Sequence, residues 1–493
     1  MSLYLSKSLY CQAIQCPKML WLAKNKPEIF DKDSIDDGRI EEGKKVGKIA
    51  QELFENPVVV DYNPEKIVMI QNTKSLISEG QKVICEASFA SEGLFCSVDV
   101  LVNIDGYNVE IYEVKSSTKL KEEHYDDVSY QAYVLNKCGY KVVKACVVHI
   151  DSSYVRHGEL ELDKLFSFVD ITGDVLDMQD IVEDRIAFLE EYMQSEEEPV
   201  CDLSCSCFSP YDCGYWKYCS RQLPSPNVFD VTGRMPAKKK VELYKNGLVS
   251  FEQLYNSSVL SSAARLHVSC EIENKPYVNK LAIKNFVSQL TYPIYFLDFE
   301  TENFAIPAYD NSKPYMQIPF QYSLHYIESE GVELKHKEFL AEHGKDPRRE
   351  LAERLCADIP MNVCVTAYNM SFEKTRIKEL AEIYPDLSEH LMNIHDNIYD
   401  LMIPFSQKEY YLKEMQGSYS IKYVLPALCP DDPALNYANL EDVHNGVEAS
   451  HSFSVLGDID EEERERIRKN LLEYCKLDTF AMVKVWEKLK EFA

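Results

Sequence analysis

Apolar positions along this chain change their period several times, and those changes divide it. Within residues 36–54, DDGRIEEGKKVGKIAQELF, Ile40, Val46, Ile49, Ala50 and Leu53 recur at the spacing of one helix face. Five short apolar runs follow, VVVDY, VICEASFA, LFCSVDVLVNI, YNVEIYEVKS and VVKACVVHID, which read as strands. Between the last two, HYDDVSYQAYVLNKCG (124–139) returns to the helical period and stops at Gly139. Residues 174–195 predict a further helix, which leads into a cysteine-dense segment. The proline-rich stretch RQLPSPNVFDVTG (221–233) breaks the pattern and marks a domain boundary. Residues 235–290 are helical in pattern, and KKKVELYKNGLVSFEQL reads as a helix–loop–helix that turns at Gly247. Such a unit can bind phosphate through backbone N–H groups. A third region opens at PIYFLDFET (293–301), continues with strands at PFQYSLHYI and VCVTAYN, and has helices at SFEKTRIKELAEIY and 460–492. The alternation predicts an α/β protein in three parts: residues 1–222, a small helical segment at 223–290, and residues 291–493.

Composition narrows the class. A chain of 493 residues holds two or three domains, and 45% hydrophobic with 27% charged residues is ordinary for a globular protein. No run approaches the ~20 apolar residues of a membrane span. The opening MSLYLSKSLYCQAIQCPKML lacks the pattern of a signal peptide. The expectation is a cytoplasmic protein without a membrane partner. In a reducing compartment its 16 cysteines do not pair, and Cys85, Cys138, Cys146, Cys270, Cys356 and Cys364 read as small core residues. The net charge of −28 argues against a strong nonspecific grip on a phosphate backbone. Local basic candidates are RMPAKKKVELYKNG (234–247) and Lys275, Lys280 and Lys284, which suit a solvated helix face equally well.

Three clusters carry chemistry. Glu113 and Lys115 stand two apart on a strand and so share a face, with Asp99 on the preceding strand of a hairpin. Two carboxylates there can hold Mg²⁺ or Mn²⁺, and the ammonium can orient a water or neutralise charge developing on phosphorus. Five cysteines, Cys201, Cys205, Cys207, Cys213 and Cys219, crowd into nineteen residues, and Cys16 lies far upstream. Thiolates in that number suit zinc or an iron–sulfur cluster. In the third region Asp298 and Glu300 alternate on a strand, Asn369 and Glu373 stand where a helix starts, and Tyr474 and Asp478 are four apart on a helix face. Four carboxylates from three segments can enclose two divalent ions, and Tyr474 can orient the attacking water.

Residues 1–222 resemble the RecB/AddB-like branch of the PD-(D/E)XK nucleases, which includes iron–sulfur exonucleases. The resemblance rests on Cys16–Pro17, SVDV at Asp99, EVK at Glu113–Lys115, Gln131 and the trailing cysteines. It implies a [4Fe–4S] cluster, with Zn²⁺ as the alternative, on Cys16, Cys207, Cys213 and Cys219. Cys205 is a substitute for Cys207, and Cys201 and Cys11 are weaker substitutes. The chain departs from that family at Gly47, where relatives often have a metal-binding His, and at Leu135, where they often have Tyr. His124 is a replacement ligand only if it is not a satisfied surface His. Residues 291–493 resemble the DnaQ-like, RNase H-like exonucleases of the tyrosine-bearing type, with Glu373 where those usually have Asp. Asp400 is then expected either behind the metal ligands or near the metals, and Ser420 and Lys422 are expected to support the fold or a phosphate. Together the halves resemble a bacterial fusion of the two nucleases. That implies hydrolysis of phosphodiester bonds in nucleic acid, DNA in preference, in repair, phage defence or CRISPR-linked processing. The rival expectations are an RNA-processing exonuclease and a nucleic-acid-binding scaffold with one inactive half.

Overall fold

The computed structural model describes residues 5–32, 37–232, 235–432, 435, 440 and 443–492. It is mixed α/β and divides into two compact units, one of Met1–Gln222 with Phe304–Tyr315, the other of Leu223–Asn303 with Met316–Ala493. The helical segment 223–290 therefore packs as part of the second unit. Among the described residues no helix is long and apolar enough to cross a membrane.

The first unit is built on one sheet of strands β1 (Leu5–Ser6), β2 (Val58–Val59), β3 (Val83–Ser91), β4 (Leu94–Asn103), β5 (Asn108–Lys115), β6 (Lys141–Ile150) and β7 (Phe166–Asp170). Their order is β2-β3-β4-β5-β6-β7, with β1 added in parallel against Leu94 and Phe95 of β4. The β4–β5 hairpin turns at Asp105–Gly106. There Gly106 has φ +86°, and Asp105 Oδ1 accepts the backbone N–H groups of Tyr107 and Asn108. From β5 the chain crosses over through helix Glu122–Lys137 to β6, which lies parallel to β5. That helix buries Val128, Ala132 and Leu135 in the core, and Gly139 at φ +89° ends the pattern. The run VVVDY yields two strand residues, both exposed, and among the described residues β3 alone pairs with them.

The second unit contains β8 (Tyr277–Val278), β9 (Ile294–Glu302), β10 (Ile318–Ile327), β11 (Lys335–Leu340), β12 (Cys364–Ala367), β13 (Ile398–Asp400) and β14 (Tyr410–Tyr411). Five of them form a sheet in the order β11-β10-β9-β12-β13, antiparallel through β11, β10 and β9 and parallel beyond, and β8 pairs with β14. Against this sheet packs the 30-residue helix Glu461–Lys490. Asp460 caps its start by accepting from Glu463 N, and three glutamates follow in the first turn. Lys488 and Lys490 close the last turn, so the charges suit the helix dipole at both ends. Leu471, Val483 and Trp486 are its buried anchors. Gly247 turns between helices Ala237–Lys245 and Phe251–Tyr255 at φ +77°, as the pattern predicts; residue 234 of the basic run lies outside the described residues.

Candidate active sites

In the first unit the hairpin brings Asp99 of β4 beside Glu113 and Lys115 of β5. The Val114 N–H donates to Asp99 Oδ2 at 2.7 Å, which fixes that carboxylate across the ladder. Gln131 reaches down from helix Glu122–Lys137 and donates to Glu113 Oε2 at 2.7 Å and to Asp127 Oδ1 at 3.0 Å. Lys115 Nζ lies 2.7 Å from Glu113 Oε1 and 2.5 Å from Asp127 Oδ2. A second ammonium, Lys7, also sits 2.7 Å from Glu113 Oε1 and is 3.4 Å from Asp127 Oδ1. All four of the predicted residues therefore meet, and Lys7 and Asp127 complete a ring of alternating charge. Burial pushes the Asp99 carboxyl up to about 7, and the neighbouring Glu113 adds to the rise, against the pull of Lys7 and Lys115. Burial works against both ammonium ions, but Glu113 and Asp127 outweigh it and keep Lys7 and Lys115 charged. Glu86 lies opposite Asp99 on β3 at φ +55°, a left-handed conformation unusual for a non-glycine residue inside a strand. Burial raises its carboxyl as well. His124 is buried and not on the surface, and its Nδ1 accepts from the Lys121 N–H at the helix start.

In the second unit, Asp298 and Glu300 of β9, Asn369 and Glu373 at the start of helix Ser371–Ile383, and Tyr474 and Asp478 of helix Glu461–Lys490 all line one cavity of about 240 Å³. Residues from three remote segments thus converge as the spacing predicts. The antiparallel register sets Ser323 against Asp298 and Gln321 against Glu300, with a one-residue irregularity at Phe320. Thr479, the neighbour of Asp478, is tied to Ser323 Oγ at 2.6 Å and to His325 Nδ1 at 2.8 Å, which locks the helix over the strand. Burial drives the Asp298 carboxyl well above the usual range, and Asp478, Glu300 and Glu373 drive it further. Glu300 rises for the same reasons, burial and then Asp478, partly offset by Lys422. Burial lifts Glu373 to about 8. Its Oε2 is buried and has no hydrogen-bond partner among the described residues. Several carboxylates forced together in this way, one with an orphan oxygen, need protons or a cation to neutralise them. Cys475 adds a donor that spacing did not suggest. Its sulfur lies 3.9 Å from Asp298 Oδ2, and with Asp298 and Glu300 it offers three ligand atoms within 4.8 Å of one another.

Other side chains frame this cavity. Lys422 lines it, donates to His444 O at 2.7 Å and places its ammonium 5.8 Å from the Tyr474 ring centre. Asp400 stands behind, accepting the N–H groups of Asn369 and Met402 at 2.9 Å each. It thereby shapes the turn at Asn369, which has φ +75°. Gly446 abuts the site, since a Cβ there would come 3.4 Å from Glu300 Oε2.

The cysteines form a third locus, in the first unit. Cys16, Cys207, Cys213 and Cys219 line one small cavity, together with Cys201, whose sulfur is 3.8 Å from that of Cys16. Cys205 lines a different cavity, because the short turn Cys205–Cys207 points it away. The four cysteines expected as ligands line one cavity, and the fifth cysteine there is Cys201, not Cys205. Burial raises the Cys201 thiol to about 12, helped by Cys16, and the Cys213 thiol to about 11. A metal bound here must therefore displace protons.

With these geometries in hand, likeness to other proteins can be weighed. Residues 295–420 match a family described as a domain of unknown function, DUF2779, a span that includes Asp298, Glu300 and Glu373. An uncharacterized protein of Ureaplasma parvum, UU173, is 29% identical over 235 residues, 43% of this chain and 33% of its own length. An uncharacterized protein of Mycoplasma genitalium, MG366, is 26% identical over 218 residues, 41% of this chain and 32% of its own. Its homologue in Mycoplasma pneumoniae is 26% identical over 216 residues, with 40% and 32% covered. The match to this chain thus spans about a third of each relative's length.

Proposed function

We propose that this chain is a metal-dependent nuclease that hydrolyses phosphodiester bonds in DNA. The single observation that carries the reading is the convergence of Asp298, Glu300, Glu373, Tyr474 and Asp478 on one cavity, with a buried Glu373 oxygen that has no partner among the described residues. Burial, and then repulsion from Asp478, lifts the Asp298 and Glu300 carboxyls above their usual range, an electrostatic condition that supports a divalent-cation site. The second unit is read as an RNase H-like 3′→5′ exonuclease and the first as a PD-(D/E)XK nuclease. Asp298, Glu300, Glu373 and Asp478 would hold Mg²⁺ or Mn²⁺ in the one, and Asp99 and Glu113 in the other. Such ions supply charge neutralisation and a water of lowered pKa. Tyr474 stands at the cavity to orient that water, and Lys115 is held charged to meet negative charge on phosphorus. The thiols of Cys16, Cys207, Cys213 and Cys219, with Cys201 beside them, suit a [4Fe–4S] cluster or zinc with a structural role.

The test uses labelled single-stranded DNA and RNA of one sequence with Mn²⁺. The proteins compared are wild type, Asp298→Asn, Glu113→Gln and the double variant. Each single variant should lose one activity and the double variant both. Faster cleavage of RNA would move the assignment to an RNA-processing enzyme. A double variant as active as wild type would end the nuclease reading.

A further inference from the structure

Lys7 has no counterpart in the site expected from sequence, where one lysine, Lys115, suffices. It nevertheless places a second ammonium on the same Glu113 oxygen, at the same 2.7 Å. The two are not held equally. Lys115 is anchored at 2.5 Å by Asp127 Oδ2, an oxygen for which it is the nearest donor. Lys7 reaches Asp127 only at 3.4 Å, at Oδ1, which already accepts from Gln131. Of the two ammonium groups on Glu113 Oε1, Lys7 is therefore the less tightly anchored. The backbone of Lys7 is fixed meanwhile. Ser6 accepts from Leu9 N at the helix start, Leu5 pairs with Leu94, and the Tyr130 hydroxyl donates to Leu5 O at 2.7 Å. Its side chain, about a fifth exposed, is thus a tethered ammonium at the rim of the site.

We propose that Lys7 is a phosphate-binding residue of the first site: it neutralises Glu113 while no metal is bound and turns to a substrate phosphate oxygen when a divalent cation takes Glu113. Charge supports this role. Asp99, Glu113 and Asp127 face the same two ammonium groups. Each ammonium removed leaves the site one negative charge nearer to repelling a phosphodiester. The assignment rests on the nuclease reading of this unit, and the test separates the two.

The measurement is the affinity of the full chain for a fluorescein-labelled single-stranded DNA oligonucleotide, taken in Ca²⁺ over a range of salt. One phosphate contact on a single strand contributes about 0.7 to the slope of log affinity against log salt. Lys7→Met and Lys7→Gln should both lower the slope by about that amount, and Lys7→Arg should restore it. The glutamine keeps a hydrogen-bond donor for Glu113, so it guards against a loss due only to misfolding. Unchanged slopes in both neutral variants, with DNA still bound, would overturn the role of Lys7. Absence of DNA binding by the wild type would overturn the nuclease reading itself and this role with it.

Discussion

Glu373 offers the sharpest measurement, because its predicament is purely electrostatic. Its carboxyl is raised from 4.5 to about 8, burial being the first cause, and one oxygen lacks a partner among the described residues. A shift of that size, at about 1.4 kcal/mol per pH unit, means that full ionisation of this group costs the native state roughly 5 kcal/mol. The sign follows from proton binding. Between the two pKa values the native state holds the proton and the unfolded state does not, so stability falls as pH rises. The favourable contribution is complete below about pH 4.5 and is lost through about pH 8. For one group titrating between those limits, the loss between pH 6 and pH 9 is roughly 3 kcal/mol. Glu373→Gln is isosteric and cannot ionise, so that part of the pH dependence should vanish in the variant. The assay is urea unfolding of metal-free protein at both pH values, followed by hydrogen exchange of peptides from helix Glu461–Lys490. Wild type should fall by roughly 3 kcal/mol more than the variant, and Mn²⁺ should rescue wild type but not Glu373→Gln. Parallel pH profiles for the two proteins would refute the argument.

Other outcomes follow from the same geometry. Asp298→Asn, made in a Glu113→Gln background, should lower cleavage by about 10³-fold or more, since a metal ligand supplies several kcal/mol of transition-state stabilisation; a residual rate near the parent's would contradict it. With Asp298→Asn as parent, the rate from the first site should climb as pH rises through about 7, where Asp99 releases its proton, and added Mn²⁺ should move the midpoint lower. Cys207→Ser should reduce the iron or zinc content of anaerobically purified protein, and Cys205→Ser should leave it unchanged, as measured by metal analysis. Lys115→Met should depress turnover at the first site and raise the Asp127 carboxyl towards the ordinary range, because burial is opposed there by Lys7 and Lys115, a change that carbon-detected NMR titration would register.

Much of both sites was legible because short-range spacing dictates which way a side chain faces. Glu113 with Lys115, Asp298 with Glu300 and Tyr474 with Asp478 each obey the period of the strand or helix that bears them. Asp127 carried a signal of the same kind, four residues before Gln131 on one helix, but it was hidden in the acidic run EEHYDD. Lys7 carried none. Its place depends on β1 joining β4 almost ninety residues later, a pairing that no local pattern encodes. That Cys201 and not Cys205 lines the cavity of the other cysteines was likewise closed to spacing, since it turns on the direction of a three-residue turn. The assignment of Phe304–Tyr315 to the first unit is also tertiary: Ala305 joins the core around Val100 and Tyr112, and the Tyr315 hydroxyl donates to Ser116 O.

Helix Lys7–Gln15 is nine residues long, about 14 Å at 1.5 Å per residue. One end presents Lys7 to Glu113, and the other runs directly into Cys16, with the Gln15 amide clamped to Ser206 O and Tyr211 O at 2.7 Å each. It is therefore a strut between thiol chemistry and carboxylate chemistry. A shift of Cys16 would slacken one end of a stiff rod whose other end carries the ammonium.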